Sequence, residues 1–434
     1  MEVQITSRKL ITPSSPTPPH LQNLKISSFD LPAPNFYVPT IFFYPTNGAV
    51  NNAEKSLQLQ KSLSEILTLY YPLAGRYAKD DPLIECNDKG AEFLEAKVNG
   101  SLSQLLGDEG LEIRTLNHLA LQKFDPNNSS PLAVQFNIFE CGGIAIGISI
   151  THKIADSFTG FTFINAWATA CRIGVQKVHR PSFELGSIFP PSDASRTEKF
   201  VVSRASTNKN IVTKSFVFDA VAISNLKAAA SASGSELPVE HLPARVKVVT
   251  AIIWRAFVRL VQARHGSMRP SLLTVPVNLR GKTNLSIPEN LCGNFRSWAT
   301  LQFMPNGTES EVQFHDLVSR IHGGIENTVS NYAKASSSDD LFLTVINDFR
   351  KVSEAVKESD ADVYMFSSWC QLPLYEADFG WGKPSLLRRG GQVQKEMILL
   401  LDTKDGDGIE AWVSLEEENM LLFQQDPDIV AFTC

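Results

Sequence analysis

Hydrophobic periodicity dissolves between about residues 186 and 210, and strand-like and helix-like patterns occur on both sides of the break. The break holds Pro190-Pro191 and a Ser/Thr/Lys-rich run to Asn210, the composition of an exposed interdomain linker. The chain has 434 residues, more than the roughly 250–300 that one hydrophobic core serves. Two domains are therefore expected. Before the break, Leu59, Leu63, Ile66, Leu67 and Tyr70 recur at helical spacing and stop at Pro72 and Gly75. Apolar runs at 132–139 and 144–150 flank Gly142-Gly143 and spell a hairpin, and residues 158–171 read as a buried helix. After the break come a strand at 212–218 and helices from Asp219, from Ala244 to about Ala263 and from Glu309 to about Asn331. Further strands are expected at 272–277, 397–401 and 409–413. Mixed elements in both halves predict a two-domain α/β protein.

Charge and composition narrow the function. With 40 basic against 46 acidic residues the net charge is −6, and no Lys/Arg-rich run is present. That argues against nucleic acid as a partner, although the local pair Arg388-Arg389 could meet an anionic ligand. The N-terminus lacks the apolar core of an export signal, and no stretch of about 18 apolar residues could span a bilayer. Cysteines 86, 141, 171, 292, 370 and 434 are scattered without paired spacing and read as reduced thiols. The expected address is the cytosol, where the sequons at Asn99, Asn127, Asn128, Asn284 and Asn306 are chance.

Three segments carry chemistry. His152 and Asp156 follow directly on the apolar run at 144–150, and none of the other seven histidines has an aspartate four residues later. Histidine is the side chain whose ordinary pKa lies nearest neutrality, which suits a general base. An isolated HxxxD is more often a satisfied core histidine beside a surface aspartate. The second segment, residues 378–384, sets Gly380 and Gly382 around Trp381 and closes on Pro384, specifying a rigid turn. In the third, residues 275–281, Arg280 follows an apolar strand. Buried, it would need a carboxylate, for which Asp156 is a candidate.

In this order and spacing the three segments resemble the plant BAHD acyltransferases, which use CoA thioesters. Residues 71–76, Ala251 and Trp254, Gly293-Asn294 and 367–369 extend the resemblance almost end to end. Ser-Pro-Thr-Pro near the start and the form His-Lys-Ile-Ala-Asp resemble the vinorine synthase-like branch, which acetylates hydroxyls of alkaloids, terpenoids and similar specialised metabolites. One departure is Ser157, where many members carry Gly.

The resemblance implies two similar-sized domains of the CoA-dependent, chloramphenicol acetyltransferase-like type, each a mixed sheet with flanking helices, with a channel between them. Residues 1–187 and about 365–392 would form the first, 188–211 the linker, and 212–364 with 393–434 the second. His152 would be the base, Asp156 a strut for its loop and Asp378 a turn residue away from the chemistry. Ser367, Trp369 and Trp381 would lie near the reacting carbonyl or acyl pocket, and Thr250, Arg280, Asn294, Trp381 and Gly382 near CoA. Phe36, Tyr37 and Thr40 are candidate acceptor-pocket walls. The implied reactants are acetyl-CoA as co-substrate and a small-molecule alcohol, handled by a monomer without metal or permanently bound cofactor. Alternatives are a larger benzoyl or hydroxycinnamoyl donor, amide formation, a non-catalytic binding protein on the same fold, or a condensation domain. The last needs a second histidine where this chain has Thr151.

Overall fold

The computed structural model describes residues 1–46, 51–78, 81–106, 113–191, 210–231, 243–305, 312–358, 361–391 and 394–433. It divides into two compact units. The first takes residues 1–198, 286–295 and 372–392, and the second takes 199–285, 296–371 and 393–434.

The strands run in chain order. β1 (Val3–Ile11), β2 (Asn23–Lys25), β3 (Tyr37–Tyr44), β4 (Arg76–Tyr77), β5 (Leu83–Glu85), β6 (Ala91–Val98), β7 (Leu132–Phe139) and β8 (Ile144–Thr151) belong to the first unit. The second unit contributes β9 (Ile211–Phe218), β10 (Ser271–Asn278), β11 (Arg296–Phe303) and β12 (Asp362–Ser368). β13 (Leu386–Arg389) returns to the first unit, and β14 (Met397–Asp402) and β15 (Ile409–Glu416) complete the second. The longer helices are α1 (Asn52–Leu67), α2 (Ser157–Ile173), α3 (Ala220–Ser231), α4 (Arg245–His265), α5 (Phe314–Ala333) and α6 (Ser338–Glu358).

In the first unit a six-stranded sheet runs β1-β6-β7-β8-β3-β13, beside a small sheet β2-β5-β4. Only β6 and β7 pair in parallel within the larger sheet, so it is mixed. β8 lies inside it between β7 and β3, and all eight of its residues are buried. Such a position explains its unbroken apolar run, since a strand covered on both faces has no solvent side to alternate with. Gly147 is required there: a Cβ would stand 2.2 Å from the Leu119 carbonyl oxygen. α1 starts at Asn51, whose side chain accepts from the Ala53 amide at 2.9 Å. It buries the predicted stripe Leu59, Leu63, Ile66 and Leu67, each at 0% exposure, a burial that stabilises by about 1.5–3 kcal/mol per side chain.

The second unit holds a sheet ordered β11-β10-β12-β14-β15-β9, also mixed because β10–β12 and β12–β14 are parallel. α4 supplies most of its core, with Val248, Val249, Ile252, Ile253, Trp254 and Phe257 all buried. The strands expected at 212–218, 272–277, 397–401 and 409–413 form, each longer by one to three residues. α6 was not signalled, because its buried stripe (Leu341, Val345, Ile346, Val352) is narrow among charged residues. Of the helix expected from Glu309, residues 309–311 lie outside the described residues.

The linker reading needs correction at its start. Leu185–Ile188 form a helical turn, and Leu185 and Phe189 are each 2% exposed. The Phe189 ring packs 4.8 Å from Phe29 and 5.5 Å from Phe295. A stretch so short shows no period, which is why it read as loop; residues 192–209 lie outside the description. Two boundaries also differ: residues 286–295 cluster with the first unit, and the returning segment starts at 372 rather than 365. No helix among the described residues is long and apolar enough to cross a membrane. Cys86, Cys141, Cys171, Cys292 and Cys370 are free thiols.

Candidate active site

His152 stands one residue beyond β8, and the β3–β8 ladder continues through it. Its backbone N–H donates to the Phe36 carbonyl at 2.9 Å, one step past the Tyr37–Thr151 pair. Its own carbonyl accepts from the side-chain amide of Asn294 at 2.8 Å. The next residue, Lys153, sends its ammonium group to the carbonyls of Leu31 and Ala33. The main chain at His152 is thus held on both sides while the residue stays half-buried. The Phe36 ring meets the imidazole edge-on, with centroids 6.0 Å apart.

Behind this loop lies a carboxylate absent from the sequence reading. Asp30, 5% exposed, accepts on Oδ1 from the Asn294 backbone N–H at 2.7 Å and from Asn294 Nδ2 at 2.8 Å. On Oδ2 it accepts from the Ser27 hydroxyl at 2.6 Å and from the Ser27 N–H at 3.3 Å. Burial pushes its pKa up, and the hydrogen bonds from Ser27 and Asn294 oppose that shift. Lys153 is displaced the other way: burial lowers its pKa and the Asp30 charge raises it. Both displacements follow the rule that burial disfavours the charged form and an opposite charge favours it. Asn294 therefore bridges a buried carboxylate and the backbone of His152. Its amide hydrogens are committed there, so a CoA contact by Asn294 would have to use another atom of the residue.

Gly293 allows this arrangement. Its φ is +125°, and a Cβ would lie 2.4 Å from Leu185 Cδ2 and 3.4 Å from both Asp30 oxygens. The Thr159 hydroxyl accepts from the Gly293 N–H at 3.0 Å and donates to its carbonyl at 3.1 Å. Thr159 belongs to the first turn of α2, and Asp156 caps that turn, Oδ1 accepting from the Thr159 N–H at 2.9 Å. An aspartate accepting from the third helical residue is a strong N-cap, and its charge suits the positive end of the helix dipole. The geometry gives Asp156 a place in holding the loop, 6% exposed, rather than a free carboxylate beside solvent.

The remaining candidates divide. By strand alternation Phe36 and Thr40 share one face of the sheet and Tyr37 takes the other. Tyr37 is buried, packs 5.0 Å from Phe124 and donates its hydroxyl to the Ser130 carbonyl at 2.6 Å. Its assignment to the same pocket wall as Phe36 and Thr40 is therefore corrected. Asp378 accepts on Oδ1 from the Gly380 and Gly382 amides at 2.9 and 3.0 Å and on Oδ2 from Arg172 at 3.2 Å. Partial burial would raise its pKa, but the two amides and Arg172 outweigh burial and hold the carboxyl below its usual range. Gly380 and Gly382 have φ of +112° and +104°, conformations that favour glycine.

The turn is anchored far from His152. Tyr44 donates to the Ala377 carbonyl at 2.7 Å and meets the Phe379 and Trp381 rings at 6.3 and 6.2 Å. Tyr44 ends β3 and Tyr37 begins it, a separation of about 23 Å at ~3.3 Å per residue. Trp381 stacks on Phe379 at 5.8 Å with Lys55 over its ring at 5.7 Å. Trp381 and Gly382 thus belong to a packed turn at the opposite end of the strand from the His152 loop.

Thr250, Arg280, Ser367 and Trp369 lie in the second unit. Thr250 is 2% exposed on α4, and Arg280, 9% exposed, donates from its backbone N–H and Nη1 to Asn278 Oδ1 at 3.2 and 3.0 Å. Ser367 pairs in register with Leu399, and the Trp369 N–H donates to the Leu400 carbonyl at 2.8 Å.

The profile of the Transferase family matches residues 1–430. The chain is 34% identical over 435 residues to stemmadenine O-acetyltransferase of Catharanthus roseus, covering 98% of this chain and 97% of that one. It is 34% identical over 445 residues to acetyl-CoA-benzylalcohol acetyltransferase of Clarkia breweri, covering 100% of each. The crystal structure of vinorine synthase superposes with a TM-score of 0.82 at 32% identity, over 100% of this chain and 98% of the other.

Proposed function

The chain belongs to the Transferase family, the BAHD-type acyltransferases, and on that premise we propose that it transfers acetyl from acetyl-CoA to a hydroxyl of a plant alkaloid or terpenoid, with His152 as general base. The observation that carries this reading is the anchoring of His152. Its N–H, its carbonyl and the neighbouring Lys153 side chain are all tied down, and the residue is still half-buried rather than enclosed.

A neutral imidazole nitrogen takes the proton from the acceptor hydroxyl while the oxygen attacks the thioester carbonyl. The C–O bond forms, the carbonyl becomes a tetrahedral oxyanion, and that charge requires hydrogen-bond donors placed in advance. Collapse breaks the C–S bond and expels CoA thiolate, which takes up the proton. Ser367 and Trp369 as oxyanion-side contacts, and Thr250 and Arg280 as CoA-side contacts, belong to the same proposal. So do a cytosolic address and a monomeric state. The two relatives named for acetyl transfer support acetyl as the group carried.

Incubation of the purified protein with acetyl-, malonyl-, benzoyl- and coumaroyl-CoA, against alcohols from alkaloid and terpenoid extracts, tests this reading. Mass spectrometry should show an acceptor heavier by one acetyl group. A benzoyl or coumaroyl ester formed in preference would overturn the donor assignment.

A further inference from the structure

Arg389, half of the basic pair singled out in the sequence, has no part in the reading so far. It closes β13, the edge strand of the first sheet, and pairs in register with Thr40, as Leu387 pairs with Phe42. Residues opposite one another in an antiparallel pair share a face. Arg389 therefore lies on the face of Thr40 and, by alternation, of Phe36, whose ring meets His152. From 36 to 40 the backbone covers about 13 Å at ~3.3 Å per residue. Arg388 pairs with Ile41 and takes the other face.

Among the described residues, the elements around Arg389 supply no counter-charge. α2 covers this face, Phe161 lying 6.5 Å from Phe42, and β3, β8 and α2 contain no aspartate or glutamate. Gly390 and Gly391 follow, beside the neutral amides of Asn117 and Gln122. The residue is partly exposed as a whole, yet burial of the guanidinium lowers its pKa to about 10, so it remains a cation at neutral pH. Among the described residues its side chain meets neither a carboxylate nor a hydrogen-bond acceptor. A partly desolvated guanidinium is unfavourable unless an anion joins it, and its planar fork matches a carboxylate.

We propose that Arg389 binds a carboxylate carried by a substrate at the His152 site, so that the enzyme favours a hydroxylated carboxylic acid as acceptor or a carboxylated acyl group as donor. The proposal rests on the acyl-transfer reading for the position of the substrate, but its binding consequence does not depend on turnover.

Two matched pairs of probes separate the sources. On the acceptor side, para-(hydroxymethyl)benzoate is compared with its methyl ester, using acetyl-CoA. On the donor side, malonyl-CoA is compared with acetyl-CoA, using benzyl alcohol. In one pair the wild type should favour the carboxylated member by about 10- to 100-fold, the range of one charge-assisted bidentate contact. Arg389→Gln should bring that ratio to within twofold of unity. Arg389→Lys, which keeps the charge without the fork, should retain part of it. Calorimetric binding of the same pairs to His152→Ala should keep the wild-type ratio, so that failure of the base assignment would leave this one standing. Indifference of the wild type to both pairs, or an unchanged ratio in Arg389→Gln and Arg389→Lys, would overturn the proposal.

Discussion

The side-chain amide of Asn294 donates to the backbone carbonyl of His152 at 2.8 Å and to Asp30 Oδ1 at the same distance. A single planar group thus ties the histidine loop to a carboxylate buried elsewhere in the unit. Asn294→Ala leaves the His152 carbonyl and Asp30 each short of a donor, a loss of about 1–3 kcal/mol for buried groups. We expect a lower unfolding midpoint and kcat down by about tenfold, with KM for acyl-CoA nearly unchanged. A raised KM for acyl-CoA at unchanged kcat would return Asn294 to the role of a CoA contact.

Gly293 supports the same clamp. Gly293→Ala puts a methyl group 2.4 Å from Leu185 Cδ2 in a left-handed conformation. The strain should cost about 1–3 kcal/mol, read as a shift of the urea midpoint. Turnover per folded molecule should fall as well, because Asn294 moves with the backbone. Wild-type stability in this variant would show that the loop relaxes freely.

Asp378 makes the opposite kind of prediction, stability without chemistry. Asp378→Asn weakens two amide contacts and the Arg172 ion pair, for a loss of about 1–2 kcal/mol at neutral pH. The folded-state pKa is held below 3.8, so the carboxylate's contribution is present above 3.8 and lost as pH falls through the folded value. The gap in unfolding free energy between wild type and Asp378→Asn should be full near neutrality and shrink below about pH 4. Kinetic constants of the folded variant should change by less than about threefold; a collapse of kcat with intact stability would make Asp378 a participant in the reaction.

Trp381 tests where the acyl pocket is not. Its ring packs on Phe379 and Tyr44 at the far end of β3. Trp381→Phe should therefore lower thermal stability while leaving the preference among acyl-CoA donors unaltered. A changed donor preference would place the indole in the pocket after all.

Much of the site-bearing framework was legible. An unbroken apolar run announces a strand covered on both faces, and a turn of Gly142-Gly143 fixes its register with β7, so His152 falls where β8 ends. The start of α2 was legible to within one residue, whereas the cap that Asp156 places on Thr159 emerged only from the structure. The clamp was not. Asp30 and Asn294 are 264 residues apart, and Ser27-x-x-Asp30 signals only a local hydrogen bond. Nor do neighbours in a motif reveal which end of a strand they dock on: Trp381 and Gly382 look as though they belong with His152 until Tyr44 places them about 23 Å along β3. Phe189 was misread because burial in so short a stretch leaves no period.

The general-base role of His152 is the claim on which the rest depends. Turnover of acetyl-CoA and an alcohol acceptor by His152→Ala, measured beside its thermal unfolding, tests it most directly. An unfolding midpoint within a few degrees of wild type is expected, with kcat reduced by about 10²–10⁴-fold, the contribution of a positioned base. Turnover within about tenfold of wild type from a protein that melts normally would contradict it.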